Sequence, residues 1–446
     1  MNRRNSLLIL MFSFSFFSFS VKAQDEQLES RSDTVALKLS QALDNALHNN
    51  SQLQQSKIDA LIAKEQSREA DAAFLPQLNF NYSAVISNDP LNAFGFKLKQ
   101  QRATQADFNP VLLNDPGITH NYYAELSFNQ PILNLDAIFS RASARSHAKM
   151  KELSRQRRQE YLRLQVAQTY LQLGLSYKSY AVVQDAVKTS TSFLKRAKDM
   201  YQRGLIQQAD LLEAEAFHLK MLSQLQQAET AIINTSDQLS LLMGKESAVV
   251  YQVDTIHWSF PTVSIADLSN RTDLLAYRAG IQSAKKNVIA QKMRFLPRLN
   301  AFGSYQFNDK RAFKFNRSSY LLGLNLSWQL FSGTQNIHKV RSALLQRDKA
   351  VSMLSEAEQK SRIEYDRTKR QYTDLELEKK QVALMVQQTQ LAYRMQQDRY
   401  EQGLSSTSDL LRIQSQLSQQ RLGYASVQFK QNLTIAYLRF ITSTQE

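Results

Sequence analysis

The stretch that decides the fold occurs twice, as YQRGLIQQADLL at residues 201–212 and as YEQGLSSTSDLL at residues 400–411. The tyrosine, the Gly-Leu step and the Asp-Leu-Leu step recur at one constant offset of 199 residues. A second pair of similar strings, LPQLN at 75–79 and LPRLN at 296–300, repeats in the same order. Because the matched positions lie on both sides of a glycine turn, shared composition explains them poorly. The chain is therefore predicted to use one architecture twice.

The distribution of proline predicts where the helices lie. The seven prolines leave two long stretches free of proline, 132–260 and 298–446. Proline breaks helix interiors, and both stretches are rich in good helix formers such as Gln, Leu, Ala and Glu. We expect long helices over about 134–200 and 335–400. Each is followed by a Gly-Leu step and then by a returning helix, so each copy predicts a helical hairpin.

The returning helices show an apolar seam at heptad spacing. Five of the six seam positions after Asp409 are apolar, and so are five of the six equivalent positions after Asp210. Two helices with such seams are predicted to pack against each other. The two aspartates stand near the helix starts, where the helix dipole favours negative charge. A simple capping role and a functional role are both open for them.

Four segments between the helices alternate between apolar and polar residues, as strands with one apolar face do. These segments are residues 78–86, 124–128, 299–307 and 322–330. Their polar faces are mostly uncharged, which is typical of membrane β-barrel strands, although a half-buried strand of a soluble sandwich is the alternative for any one segment. In lipid a sheet has to close on itself, and four strands are too few to do so. Several copies of the chain are therefore predicted to share one barrel.

The first residues indicate export. Arg3 and Arg4 precede a largely apolar run over 7–19, and small residues that suit a cleavage site follow. This pattern predicts a signal peptide at 1–23, since the run is too short for a comfortable membrane span, with an uncleaved anchor as the alternative. Its removal deletes three positive charges and lowers the formal net charge from +15 to +12. The chain has no cysteine, so disulfides are excluded.

The duplication, the Leu-Pro-x-Leu strand openings and the paired Tyr-x-x-Gly-Leu with its Asp-Leu-Leu resemble the TolC-like outer membrane efflux proteins over roughly 35–446. The resemblance implies a mixed membrane protein: a homotrimer with a 12-stranded β-barrel, four strands per chain, continuous with a long periplasmic α-helical barrel. It further implies a passive exit duct for small molecules or ions, served by a periplasmic adaptor and an inner-membrane pump. A duct for type I protein secretion is the alternative.

The resemblance also implies a division of the chain. The signal peptide at 1–23 is followed by a first structural repeat at 24–245. An equatorial linker at 246–265 then leads to the second structural repeat at 266–446.

Roles for individual residues follow from the same resemblance. Gly204, Leu205, Gly403 and Leu404 correspond to adaptor-docking tips. Asp409 and Arg412 correspond to the pore constriction, and Tyr400 and Asp210 to the gate. Two departures bear on these roles, because Ser405 stands where relatives carry a gate arginine and Arg412 stands where they carry a second pore carboxylate.

Other functions find little support in the sequence. The six histidines are scattered, without a metal-ligand spacing such as His-Glu-x-x-His, and no phosphate-binding glycine loop is present. We therefore expect no enzyme, no metal and no cofactor. The high pI of 9.7 is compatible with nucleic-acid binding, but barrel strands in an exported chain argue against it, and we expect no nucleic-acid partner. The basic run over 141–158 is interpreted as a solvated face, and that over 310–317 as a contact with outer membrane lipid.

Overall fold

A computed structural model describes residues 34–246, 249–254 and 265–442. The predicted signal peptide at 1–23 lies outside the described residues, as does much of the predicted linker at 246–265. The strands are β1 (Thr34–Leu37), β2 (Gln77–Ser87), β3 (Thr119–Leu133), β4 (Val250–Val253), β5 (Arg298–Asp309) and β6 (Arg317–Ser327). The α-helices are α1 (Leu39–Asn49), α2 (Ser51–Glu69), α3 (Pro90–Lys99), α4 (Pro110–Asn114), α5 (Leu135–Gln202), α6 (Gln208–Leu242), α7 (Thr272–Met293), α8 (Gln335–Glu401) and α9 (Thr407–Thr442).

The order of the elements repeats, as the sequence predicts. The series α2, β2, β3, α5, α6 is followed by α7, β5, β6, α8, α9. The two long helices contain 68 and 67 residues, so each is about 100 Å long at 1.5 Å per residue. The predicted hairpins and long helices are confirmed. No helix in the described part of the chain has a stretch apolar enough to cross a bilayer.

β2, β3, β5 and β6 form one antiparallel sheet in that order. The pairing register places Leu126 opposite both Phe80 and Tyr305, and it places Leu299 opposite Leu326. Since side chains alternate along a strand, one face of the sheet collects the apolar residues. The apolar residues of this face are Leu78, Phe80, Tyr82, Ala84, Ile86, Tyr122, Ala124, Leu126, Phe128, Leu299, Ala301, Gly303, Tyr305, Phe307, Tyr320, Leu322, Leu324 and Leu326, and the register adds the polar residues His120, Gln130, Asp309 and Ser318 towards its ends.

The other side of the sheet is the polar face. It includes Asn79, Asn81, Ser83, Asn121, Glu125, Ser127, Asn300, Ser304, Gln306, Asn308, Ser319 and Asn325. On the apolar face Leu324 and Leu326 remain 68% and 67% exposed in the single chain. The described residues of the chain therefore leave an extended apolar wall without a protein partner.

The last predicted strand differs from the observed one. The alternation predicts a strand over 322–330, whereas β6 runs from Arg317 to Ser327. Trp328 lies just beyond the strand end, where its indole N–H donates to the carbonyl of Phe295 at 2.9 Å. Gly333, with φ of +65°, then turns the chain towards α8. Trp328 and Leu330 therefore lie in the connection, because this turn ends the sheet before the apolar alternation stops.

The linker region contributes a small second sheet. β4, which falls within the predicted linker, pairs in parallel with β1 from residue 34 onwards. Both strands pack on the core formed by α1, α5 and α6, which includes Tyr170, Leu173 and Leu239. The hydroxyl of Tyr170 donates to the carbonyl of Leu37 at 2.8 Å. The small sheet therefore packs residues 34–37 against the middle of the long helix α5.

The helix pairs pack along the predicted seams. All twelve predicted seam positions on α6 and α9 are buried or half-buried. His218, the one seam histidine, accepts or donates a hydrogen bond with Ser190 across the α5–α6 pair at 3.0 Å. The heptad prediction is therefore confirmed for both copies.

The basic run over 141–158 is not the solvated face that its composition suggests. Arg141 pairs with Asp71, and Arg157 pairs with Glu160 at 2.8 Å. The guanidinium carbon of Arg157 also lies 3.6 Å from the ring centroid of Phe440 on α9. The interpretation was wrong for Arg141 and Arg157, because Asp71 and Phe440 come from distant parts of the chain, which the local sequence does not reveal. Glu160, by contrast, lies on α5 itself.

A buried cation joins α7 to α8. The side chain of Arg271 is only 7% exposed. It donates to the carboxylate of Asp273 at 2.7 Å and to the hydroxyl of Ser361 at 2.6 Å. Glu364 approaches it at 3.9 Å, and Arg157 of α5 reaches the same Asp273 at 3.8 Å. A buried charge needs such partners, and removing one of them is strongly destabilising.

The Asp273 cluster predicts a pH-dependent contribution to stability. Burial acts to raise the pKa of Asp273, but the hydrogen bond from Arg271 and the charge of Arg157 outweigh it and hold the pKa below its usual value. A carboxylate with a lowered pKa stabilises the fold at neutral pH, and this stabilisation is lost as the pH falls through the lowered pKa. Asp273→Asn should therefore lower stability at pH 7 by about 1.5–3 kcal/mol.

Melting followed by circular dichroism at neutral and at strongly acid pH measures this effect. The difference between Asp273→Asn and the unchanged protein should disappear in acid, where both side chains are neutral. Asp366→Asn, at an exposed position of α8, serves as the control and should melt unchanged at both pH values. Equal melting of Asp273→Asn and the unchanged protein at pH 7 would contradict the assignment.

Candidate functional site

The two long helices end in the same structure. Gly204 follows α5 with φ of +73°, and Gly403 follows α8 with φ of +75°. In each copy the amide of the next leucine donates to the carbonyl five residues earlier, at 2.9 Å in the first and 2.8 Å in the second. The glycine amide donates to the carbonyl three residues earlier. This double hydrogen bond is the Schellman motif, in which the left-handed residue is usually glycine.

The motif presents a leucine at each helical end. Leu205 is 66% exposed and Leu404 is 63% exposed. A Cβ atom built on Gly204 or Gly403 would meet no heavy atom within 4 Å, so the glycines are required by backbone conformation and not by crowding. The predicted tip residues thus form two open, apolar ends, which we call the tips: residues 203–206 and 402–405.

The returning helices begin with a capping carboxylate. Asp210 is the third residue of α6, and its side chain accepts the backbone N–H of Gln207 at 3.2 Å. Asp409 is the third residue of α9, where it accepts the hydroxyl of Ser406 at 2.8 Å while its own amide donates back to that hydroxyl at 3.1 Å. Both aspartates satisfy donors at a helix start, the role expected of an acidic residue in the first turn.

Asp409 has an additional cationic neighbour. The guanidinium of Arg412 lies 3.0 Å from its carboxylate. The hydroxyl of Ser406, followed by Arg412, holds the pKa of Asp409 below its usual value. Both side chains are exposed, the carboxylate at 46% and the guanidinium at 77%. The start of α9 therefore displays a charged pair towards its surroundings.

Tyr400 lies inside the chain near the tips. It is 5% exposed and belongs to a small core with Phe193, Leu410 and Leu411. Its ring centroid is 6.5 Å from that of Phe193 on α5. The two gate residues predicted by resemblance bind different partners within the chain. The Tyr400 hydroxyl lies 3.4 Å from that of Thr407, whereas Asp210 accepts the backbone N–H of Gln207.

Contacts between the two hairpins were missed by the sequence analysis. Arg196 on α5 pairs with Glu401 on α8 at 2.9 Å, and the Ser408 hydroxyl on α9 donates to Glu213 on α6. The hydrogen bond from Arg196 is the main cause that lowers the pKa of Glu401. Partners about 200 residues apart leave no local signal. Exposed ion pairs contribute little to stability, so these contacts mark where the hairpins meet without fixing them rigidly.

The other end of the molecule is covered by the long loop between β2 and β3, residues 88–118. The side chain of Gln100 donates to Asn121 at 2.9 Å, and Asn121 donates to Asn308 at 3.0 Å. All three are buried and lie against the polar face of the sheet. Within the loop, Lys97 pairs with Asp107 at 2.9 Å and is the main cause that lowers the pKa of Asp107 to about 2.

The described residues contain no group of three His, Asp or Glu side chains placed to hold a metal ion. The features that remain are an apolar wall, a polar face and two apolar tips at the far ends of long helices.

A comparison with protein families gives one match. The model of the family described as "Outer membrane efflux protein" matches residues 21–245 and 266–444. Comparison of the sequence with curated proteins gives no significant match.

Solved structures of similar fold are outer membrane channels. The CmeC channel of Campylobacter jejuni is 18% identical, with a TM-score of 0.79, over 91% of this chain and 85% of that one. The outer membrane protein VceC of Vibrio cholerae is 17% identical, with a TM-score of 0.78, over 91% and 95%. The MtrE channel of Neisseria gonorrhoeae is 16% identical, with a TM-score of 0.72, over 91% and 88%. At these identities the likeness shows a shared fold.

Proposed function

The chain belongs to the outer membrane efflux protein family, and from this premise we propose that it is the exit duct of a tripartite efflux system. The family places the protein in the outer membrane. In our proposal a periplasmic adaptor and an inner-membrane pump deliver small molecules or ions, and the chain conducts them passively. The predicted repeats at 24–245 and 266–446 and the linker at 246–265 are part of this proposal.

The observation that carries the proposal is the continuity between strand and helix. β3 ends at Leu133 and α5 begins at Leu135, so a strand of the apolar wall leads directly into a helix of about 100 Å. β6 leads into α8 in the same way after a short connection. One chain thus joins a bilayer-compatible sheet to helices long enough to cross a wide aqueous space.

The two unpaired edges of the sheet are the reason for proposing a trimer. β2 and β6 are the edges of the four-stranded sheet, and their unpaired backbone groups need partners in lipid. In our proposal β6 of one copy pairs with β2 of the next, and three copies complete the 12-stranded barrel. The apolar face then contacts lipid and the polar face lines the channel. The helices of the three copies form the periplasmic α-helical barrel.

The barrel predicts opposite outcomes for two adjacent positions of β6. Leu326 belongs to the apolar face and Asn325 to the polar face. An arginine facing lipid costs about 2–4 kcal/mol per copy at the bilayer midplane and about 0–1 kcal/mol near the interfaces. Leu326 is the second-last residue of β6, so its cost lies below the midplane value, and symmetry repeats it in every subunit. Leu326→Arg should therefore lower the yield of assembled trimers, whereas Asn325→Arg should preserve it.

Heat-modifiable trimers in outer membrane fractions, separated by gel electrophoresis, provide the measurement. The two variants have the same charge and lie next to each other, so each controls for the other. Equal tolerance of both substitutions would be incompatible with a membrane-facing apolar wall.

The tips are the proposed docking sites for the adaptor. Leu205 and Leu404 are exposed at the ends of the hairpins, where an apolar partner surface can cover them. Leu205→Asp places a charge there without changing the left-handed glycine. We expect this variant to form normal trimers, to lose cross-linking to the adaptor, and to lose tolerance of exported compounds when it is the cell's only copy.

Leu205→Ile is the matched control, because it keeps an apolar side chain of equal size, and it should retain cross-linking and tolerance. Unchanged cross-linking in Leu205→Asp would remove the tips from the docking surface. If the cells instead keep their tolerance and lose a secreted polypeptide, the alternative duct for type I protein secretion is favoured.

Asp409 and Arg412 are the proposed pore constriction. In a trimer, three copies of each would surround the axis, and charged rings of this kind select ions in other channels. Asp409→Ala should lower the preference for cations, and Arg412→Gln should raise it, since the first removes negative charge and the second removes its partner. Of the proposed gate residues, Tyr400 lies on α8 of the same hairpin and Asp210 lies on α6 of the other hairpin.

Reversal potentials of purified trimers in planar bilayers, under a salt gradient, measure this selectivity. The hydrogen bond from Ser406 and the charge of Arg412 lower the pKa of Asp409 within each chain, so the cation preference should be present at neutral pH and disappear in acid. Identical selectivity in all three proteins would leave Asp409 with its capping role alone.

A further inference from the structure

The short loop between β5 and β6 lies on the wall of the sheet. The ring of Phe313 stacks on that of Tyr82, with centroids 5.1 Å apart and planes 5° from parallel. The backbone N–H of Phe313 also donates to the Tyr82 hydroxyl at 3.0 Å. Tyr82 belongs to β2, two strands away from β5 in the sheet. The loop, residues 310–316, therefore folds back across the apolar face.

An aromatic group forms where the loop meets this face. Phe315 packs against Phe307 at 5.5 Å and against Tyr82 at 6.5 Å, and Phe307 packs against Tyr305 at 5.1 Å. Phe313 has φ of +59°, a conformation that bulky residues rarely adopt. Such a conformation persists where the surroundings hold it. We call Tyr82, Tyr305, Phe307, Phe313 and Phe315 the aromatic collar.

Three cations stand beside the aromatic collar. Lys310, Arg311 and Lys314 lie in the seven-residue loop, and in the part of the chain that the structure describes none of them is in an ion pair. The nearby carboxylate of Asp309 accepts the backbone N–H of Arg311 instead. The collar and the cations together form an amphipathic surface with an excess of positive charge.

Arg317, the fourth cation of this stretch, is not part of that surface. In the strand register it lies opposite Asn308, on the polar face, and it donates to Gln101 of the long loop at 3.4 Å. The fold therefore separates a basic run that looks uniform in the sequence. Three cations lie in the loop that carries Phe313 and Phe315, and the fourth lies on the polar face.

We propose that this surface binds a phosphorylated glycolipid of the outer leaflet, with acyl chains against the aromatic collar and phosphates held by Lys310, Arg311 and Lys314. The proposal rests on the proposed function, because it needs the apolar face to contact lipid. Phosphate monoesters carry about −1.5 to −2 charges at pH 7 and form strong hydrogen bonds with Arg and Lys. A soluble anion would make no use of the collar, and the loop lies at the end of the sheet remote from the long helices, which is the outer end of a barrel.

Binding of diphosphorylated lipid A to purified trimers tests the proposal. Native mass spectrometry gives the affinities of the wild type, of the triple variant Lys310→Gln/Arg311→Gln/Lys314→Gln, and of a control, Lys349→Gln/Lys360→Gln/Lys369→Gln. The control removes three exposed lysines of α8 and changes the net charge equally. Since each basic residue near an anionic surface contributes appreciably to binding, the triple variant should bind roughly 10–100-fold more weakly, and the control should match the wild type.

A second set of measurements varies the lipid and keeps the protein unchanged. Dephosphorylated lipid A should bind the wild type about as weakly as the diphosphorylated lipid binds the triple variant. Equal affinity for the two lipids would overturn the proposal, and so would an equal loss in the control. Equally tight binding of phosphatidylglycerol would also overturn it, because the surface would then recognise any anionic lipid.

Conductance of the same trimers in planar bilayers distinguishes failure of the glycolipid site from failure of the proposed duct function. Trimers that conduct in planar bilayers but do not distinguish the lipids would overturn the glycolipid site alone. Preparations that form no channel in any lipid would overturn the duct itself.

Discussion

The structure depends on one requirement, that every backbone N–H and C=O in a bilayer has a hydrogen-bond partner. The sheet of β2, β3, β5 and β6 meets it in its interior and leaves it unmet at two edges. Neither edge can be satisfied by the four strands of one chain. The same chain places 18 apolar residues on one face of that sheet and leaves many of them exposed, among them Leu78, Leu324 and Leu326. In the proposed trimer, a closed ring of copies within lipid supplies partners for both edges and covers the apolar face.

The long helices follow from where the strands end. Because β3 passes into α5 after a single residue, the direction of the helix is set by the sheet. A helix of about 100 Å cannot be stabilised by its own hydrogen bonds alone. It is supported by the seams of α6 and α9, by the core around Tyr170 and Leu173, and by the charged cluster around Arg271. Apolar packing therefore stabilises the long helices along their length, and ion pairs stabilise them where helices meet.

Features with a local cause could be predicted from the sequence, and features with distant partners could not. Proline placement located α5 and α8 to within two residues, and glycine located the tips, because both act through their own backbone. The end of β6 was missed because Trp328 donates to Phe295, in the connection between α7 and β5, and Gly333 then turns the chain. The pairs Arg196–Glu401 and Arg141–Asp71 join residues that composition alone would leave in solvent. The proposed closure of the barrel has no local cause either, since it depends on contacts with other copies of the chain.

The two copies of the duplicated unit can be compared position by position at the starts of α6 and α9. Asp210 and Asp409 occupy the same place in the two copies and cap their helices in both, so their recurrence is explained by helix starts alone. The next matched position differs, because Glu213 in the first copy corresponds to Arg412 in the second. Glu213 accepts from Ser408 of the other hairpin, whereas Arg412 pairs with its own Asp409. The shared residues start the helices, and the charge displayed beside the tips is set by the residues in which the copies differ.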